Sequence, residues 1–134
     1  MKHPTRSPKS TGEWAEVCFL ARVLALGYRI SKPYGDNAPY DFIVDSGSRL
    51  SRVQVKSVAA EQQNSFHITL GHGLNKRGYA SSELDLMAAY VIPCDAWYLI
   101  PLAAIGRIRA LWFSPHRPSR RKFELYREAW HLLE

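Results

Sequence analysis

Tyr40-Asp41-Phe42-Ile43-Val44-Asp45-Ser46-Gly47-Ser48-Arg49-Leu50-Ser51-Arg52-Val53-Gln54-Val55-Lys56-Ser57 is the stretch on which the fold turns. Two runs rich in β-branched and aromatic residues, 40–45 and 50–58, flank the turn triplet Ser46-Gly47-Ser48, and the segment predicts a β-hairpin. Successive side chains of a strand point to opposite faces. Tyr40, Phe42 and Val44 therefore share one face of the first strand, and Asp41 is expected on the other. In the second strand Val53 and Val55 suit a core, while Arg52, Gln54 and Lys56 line the opposite side. An aspartate and a Gln-x-Lys pair are thus expected on neighbouring strands, where their side chains can meet.

Upstream, Ser10-Thr11-Gly12-Glu13 fits a capping box, with Ser10 as N-cap and Glu13 reaching back to it. Apolar residues then recur at helical spacing: Trp14, Val17, Ala21 and Leu24 on one line, with Phe19, Leu20 and Val23 beside it. Gly27 suits the residue after the helix end. Residues 1–9 are polar and basic, and read as a flexible arm before a single domain spanning 10–134. Tyr28-Arg29-Ile30 predicts a short strand, followed by a loop over 32–37.

Downstream, 66–70 predicts a strand, and 71–80, with Lys76 and Arg77, an exposed loop. Ser81 or Ser82 is expected to cap a turn before Asp85. Residues 86–92 and 97–100 flank Pro93-Cys94-Asp95-Ala96 as strand, turn and strand. One helical turn over 101–105, a strand over 108–113 and a Pro-rich basic loop over 114–119 follow. A final amphipathic helix is predicted through Phe123, Tyr126, Trp130 and Leu133. With no repeat and no boundary, the chain is expected to form one α+β domain: a central mixed β-sheet flanked by helices.

Composition narrows the function classes. At 134 residues there is sequence for one core. No apolar run approaches the roughly 20 residues that span a bilayer, so no membrane is expected as partner. The basic N-terminus lacks the apolar segment of a signal peptide, which points to a cytoplasmic protein. Cys18 and Cys94 make no disulfide framework, and the five histidines have no zinc spacing. Eighteen Lys and Arg stand against 12 Asp and Glu, a net +6 that favours an anionic partner.

Hydrolysing a phosphodiester calls for a divalent cation that polarises the phosphoryl oxygens and acidifies a water. Mg²⁺ takes oxygen ligands, often one or two carboxylates plus substrate phosphate. Asp41 can supply the anion, Gln54 an amide oxygen, and Val55 its main-chain carbonyl. Lys56 beside them can position the water or stabilise charge on the transition state. Glu16, one turn beyond Glu13, is a possible fourth member. Each residue alone has a plainer explanation. Glu16 can complement the helix dipole, Asp41 can be a turn residue, and Gln-x-Lys can mark a solvated face. The combination is what argues for chemistry.

At these residues the sequence resembles the PD-(D/E)xK nucleases, in particular the small branch that holds a group I intron homing endonuclease, and more distantly archaeal Holliday junction resolvases. Gly12-Glu13-Trp14-Ala15-Glu16 is similar to that branch's helix-one GxxxE, with Glu16 as its glutamate. Pro33-Tyr34-Gly35-Asp36-Asn37 followed by Tyr40-Asp41 resembles its P-x-G-D-N…Y-D run, and 52–57 its R-V-Q-V-K-S strand. Gln54 departs from the more common acidic residue, and no proline directly precedes Asp41. The resemblance implies a restriction-endonuclease-like core and a Mg²⁺-dependent DNA endonuclease, Mn²⁺ being able to substitute. Cleavage would be of the homing type or selective for a structure such as a four-way junction, by a homodimer or higher homo-oligomer. Lys32, Arg52, Lys76 and Arg77 become candidate phosphate contacts. The alternative is a nucleic-acid-binding module that keeps the nuclease fold without its catalysis, for which neutral Gln54 speaks. A protein-binding scaffold explains none of the Glu, Asp, Gln and Lys pattern.

Overall fold

A computed structural model describes residues 7–70, 83–117 and 121–134. The first helix, α1 (Pro8–Ala25), starts a turn earlier than expected. Ser7, not Ser10, is the N-cap, its Oγ accepting the Ser10 N–H at 3.1 Å. Pro8 explains the shift, because proline's fixed φ and missing N–H cost nothing at the first helical position. Glu13 consequently lies inside the helix, and Pro8 and Lys9 belong to it rather than to an arm. Residues 1–6 fall outside the described residues. At the other end Leu26 is the C-cap and Gly27 follows at φ +85°, as expected.

The buried face of α1 is also rotated from the expected line. Ala15, Phe19 and Val23, spaced by four, are buried, whereas Val17 and Leu24 are 60% and 53% exposed. Phe19 decides the rotation: its ring packs on Phe42, Trp97 and Trp130 with centroids 5.6–6.0 Å away. An aromatic buried among aromatics gains more than a valine or leucine at the same depth.

The strands in chain order are β1 (Arg29–Ser31), β2 (Phe42–Asp45), β3 (Leu50–Val58), β4 (Phe66–Thr69), β5 (Leu86–Val91), β6 (Ala96–Pro101) and β7 (Ala110–Phe113), with a one-turn helix α2 (Leu102–Ile105) after β6. Five of them form a sheet in the order β1-β2-β3-β5-β6. All neighbours in it are antiparallel except β3 and β5, so the sheet is mixed, as predicted. β4 and β7 make a separate antiparallel ribbon. On one face of the sheet α1 packs on Phe42, Val44, Val53, Val55, Ala88 and Leu99. On the other, Met87, Ala89, Tyr98 and Ile100 meet Phe66, Ile68, Leu111 and Phe113 of the ribbon. β5 is covered on both sides and is buried throughout, which is why it reads as an unbroken apolar run.

The predicted C-terminal helix is not formed. Residues 123–133 instead contain two 3₁₀ turns, Glu124–Tyr126 and Trp130–Leu133. Between them Arg127 bridges to Tyr98 of β6, and the Glu128 N–H donates to Trp97 O at 2.7 Å, with Glu128 at φ +51°. This brief pairing with a strand takes the backbone out of helical hydrogen bonding. The periodicity did report burial: Phe123 and Leu133 are both buried, on opposite faces of the sheet. The expected loop over 71–80, with Lys76 and Arg77, and the turn at Ser81 or Ser82 lie outside the described residues. Among the described residues no helix is long and apolar enough to cross a membrane.

Candidate active site

The hairpin forms as its sequence predicts. Phe42 pairs with Val53 and Asp45 with Leu50. The turn is closed by a Ser46 N–H to Arg49 O bond of 3.1 Å and by Asp45 Oδ1, which accepts the Gly47 N–H at 2.8 Å. Gly47 sits at φ +91°, where a side chain would be strained.

Asp41 stands just before β2. Its N–H donates to Val53 O at 2.9 Å, and its Oδ2 accepts the Val55 N–H at 2.7 Å. The carboxylate is therefore drawn to the edge of β3, beside the residue that separates Gln54 from Lys56. Simple alternation placed it on the face opposite Phe42; the Val55 amide is what fixes it. In register with β5, Gln54 lies beside Met87 and Lys56 beside Ala89, on the face away from α1. Among the described residues, Gln54 Oε1 is buried without a hydrogen-bond partner. Such an oxygen costs about 1–3 kcal/mol relative to a satisfied one, and the cost asks for a reason.

The charges around Asp41 form one field. Burial pushes its carboxyl above the ordinary range, and the Val55 N–H, Lys56 and Lys32 only partly offset this. Glu16, projecting from α1, is raised first by burial and then by the charge of Asp41, with Lys32 opposing. Lys32 Nζ lies 3.5 Å from Glu16 Oε1 and 5.7 Å above the Phe42 ring. Together Glu13, Glu16, Leu20, Ser31, Lys32 and Phe42 line much of a groove of about 480 Å³. Two carboxylates that are costly to ionise, beside two lysines, make a place where added positive charge is favourable.

Among the described residues, no three His, Cys, Asp or Glu side chains gather as a metal site. The groups that could hold a cation are of a different kind: the Asp41 carboxylate, the Gln54 amide oxygen, the Val55 carbonyl and, from the helix, Glu16. All are hard oxygen donors of the sort that suit Mg²⁺ or Mn²⁺, with a buried acceptor that lacks any donor. The residues fit a hard divalent cation.

Glu16, Lys32, Asp41 and Lys56 are thus electrostatically joined, with Gln54 and Val55 adjoining in the chain. Arg52 is placed otherwise. Its Nε and one terminal nitrogen each donate to the Asp85 carboxylate at 3.1 Å, and its N–H donates to Oδ2 at 2.8 Å. The Asp85 N–H returns a bond to Arg52 O at 2.9 Å. This clamp holds the entry of β5 against β3. Neither it nor the Lys32–Glu16 pair was foreseen. Both join residues far apart in sequence, and no local pattern announces such pairs.

The family model for PD-(D/E)XK endonucleases matches residues 6–133. Among solved structures, the bacterial homing endonuclease I-Ssp6803I is similar, with a TM-score of 0.82 and 27% identity, over 95% of this chain and 93% of that one. No curated protein matches the chain. A match over nearly the whole length joins a mixed sheet that holds an aspartate beside a Gln-x-Lys strand, and the chain belongs to the PD-(D/E)XK endonuclease family.

Proposed function

We propose that this chain is a DNA endonuclease that hydrolyses phosphodiester bonds with a divalent cation, Mg²⁺ by the chemistry of its donors and Mn²⁺ as a substitute. The observation that carries the reading is the Asp41 carboxylate, held on the Val55 amide between Gln54 and Lys56, where the Gln54 amide oxygen has no partner among the described residues. Asp41, Gln54 and the Val55 carbonyl would hold the cation, with Glu16 joining directly or through water. When bound, the cation supplies Lewis-acid polarisation of the phosphate and an acidified water. Lys56 adds a positive charge where negative charge develops, and its place on a strand paired on both sides helps to preorganise it. The Val55 N–H holds Asp41 in one orientation.

Lys32, Lys76 and Arg77 are the proposed phosphate contacts, and Arg52 acts mainly by fixing β3 through Asp85. A two-fold homodimer would put one active site on each strand of a duplex. The likeness to a homing endonuclease favours site-directed cutting over junction resolution. A cytoplasmic location goes with such a substrate. The second reading, a DNA-binding module without catalysis, is favoured by the neutral Gln54.

Incubating the protein with supercoiled plasmid tests this. Nicking or linearisation is expected in Mg²⁺ or Mn²⁺ and none in EDTA. Salt-sensitive DNA binding that ignores divalent metal, without cleavage, supports the second reading. A panel of duplex, nicked and four-way-junction DNA separates the modes: preference for the junction sinks the homing-type assignment.

A further inference from the structure

Lys32 does something that phosphate binding alone does not require. In the antiparallel register of β1 and β2, Ser31 faces Ile43, so Lys32 continues opposite Phe42, the neighbour of Asp41. Its ammonium reaches Glu16 at 3.5 Å and lies over the Phe42 ring, and these three residues line the same groove. The side chain is 67% exposed while its partner Glu16 is only 25% exposed. An extended lysine can therefore leave toward solvent without disturbing the core, whereas Glu16 is fixed on a packed helix. The charged groups felt by Glu16 are Asp41, Lys32 and Glu13, and those felt by Asp41 are Lys56 and Lys32. Lys32 is an exposed cation that acts on both carboxylates.

From this we infer that Lys32 is a displaceable counterion: it neutralises the Glu16–Asp41 pair in the metal-free protein and is driven off Glu16 when a divalent cation enters. The inference rests on the proposed metal site. An exposed ammonium gives up little on leaving, and its like charge opposes a second cation in the same place. Once released, its charge would be available to a DNA phosphate, which would link metal entry to phosphate capture. Lys32 is a positioning residue here, acting through Glu16.

The test uses the full chain and Mn²⁺ alone, with no DNA. Free Mn²⁺ is followed by electron paramagnetic resonance as wild type, Lys32→Met and Lys32→Gln are titrated, at 0.05 and 0.5 M KCl. Both variants should bind Mn²⁺ about 3–10-fold more tightly than wild type at low salt, and the gain should shrink at high salt as screening weakens the competition. In a Glu16→Gln background, the gain in Mn²⁺ affinity on removing Lys32 should be smaller than in wild type, because only its effect on Asp41 then remains. A lysine that only touches phosphate, or only supports the fold, would leave Mn²⁺ affinity unchanged or lower it, and either result overturns the proposal. Thermal melts confirm that the variants fold; two substitutions at an exposed position guard against loss of one. If wild type binds no Mn²⁺ and nicks no plasmid, the metal site itself fails. If wild type binds and cuts but the variants bind no tighter, only the counterion role fails.

Discussion

Asp85→Ala tests whether the Arg52–Asp85 clamp supports the strand that bears the site. Two guanidinium bonds of 3.1 Å and one backbone bond of 2.8 Å end on this carboxylate. The two side chains are 31% and 29% exposed, so the ion pair itself is worth about 0.5–1 kcal/mol after solvent screening. Removing the carboxylate also leaves the Arg52 N–H without its acceptor, a cost of about 1–2 kcal/mol for a partly buried group. The expected loss is about 1.5–3 kcal/mol, which for a domain of this size lowers the melting temperature by roughly 5–12 °C. Asp85→Asn retains an oxygen for the N–H and should lose about 1 kcal/mol. The Arg52 guanidinium holds the Asp85 carboxyl below the usual range. A depressed carboxyl stabilises the fold above its unfolded pKa and loses that stability as pH falls through the folded value. Urea unfolding of wild type and Asp85→Asn at several pH values should show a steady gap above about pH 5 that closes below about pH 4. A gap that stays constant to pH 3, or an Asp85→Ala loss under 0.5 kcal/mol, would refute the clamp.

Further expectations follow from the same site. Burial raises the Asp41 carboxyl, so ionising it costs folding stability once pH exceeds its unfolded pKa. Asp41→Asn should therefore melt higher than wild type at pH 8 without metal, and the difference should vanish below about pH 4; a lower melting temperature at pH 8 contradicts this. Gln54→Glu puts an anion where an oxygen is now buried without a donor. Calorimetry should show the metal-free variant less stable at pH 8, and titration should show it binding Mn²⁺ more tightly than wild type; unchanged Mn²⁺ affinity would remove Gln54 from the ligand set.

How much of this was legible in the sequence depended on whether the cause was local. The hairpin was, because alternation and a Ser-Gly-Ser turn are local signals, and β3 has the expected bounds, Leu50–Val58. Membership of the nuclease family was also legible, since its motifs lie in short runs around Glu16, Asp41 and Lys56. The start of α1 was misplaced because two serines compete for the cap, and Pro8 favours the earlier one. Its buried face differs from the expected line because spacing alone cannot weigh Phe19 among three aromatic rings against Val17 and Leu24. The C-terminal segment kept a helical pattern of burial yet pairs with β6 at Arg127 and Glu128, a tertiary contact that periodicity does not contain. Its motif makes Asp41 a site candidate, but its position at the strand edge follows from one amide of Val55. The Arg52–Asp85 clamp joins strands paired in parallel, which no short sequence window reveals.

The most direct measurement is the initial rate of plasmid nicking in Mn²⁺ by wild type, Asp41→Asn and Lys56→Ala, with melting temperature and DNA binding in EDTA recorded for each. Cleavage by wild type is expected, with a loss of about 100-fold or more in both variants, while both stay folded and still bind DNA. Equal rates in all three proteins would contradict this and attribute the cutting to another source.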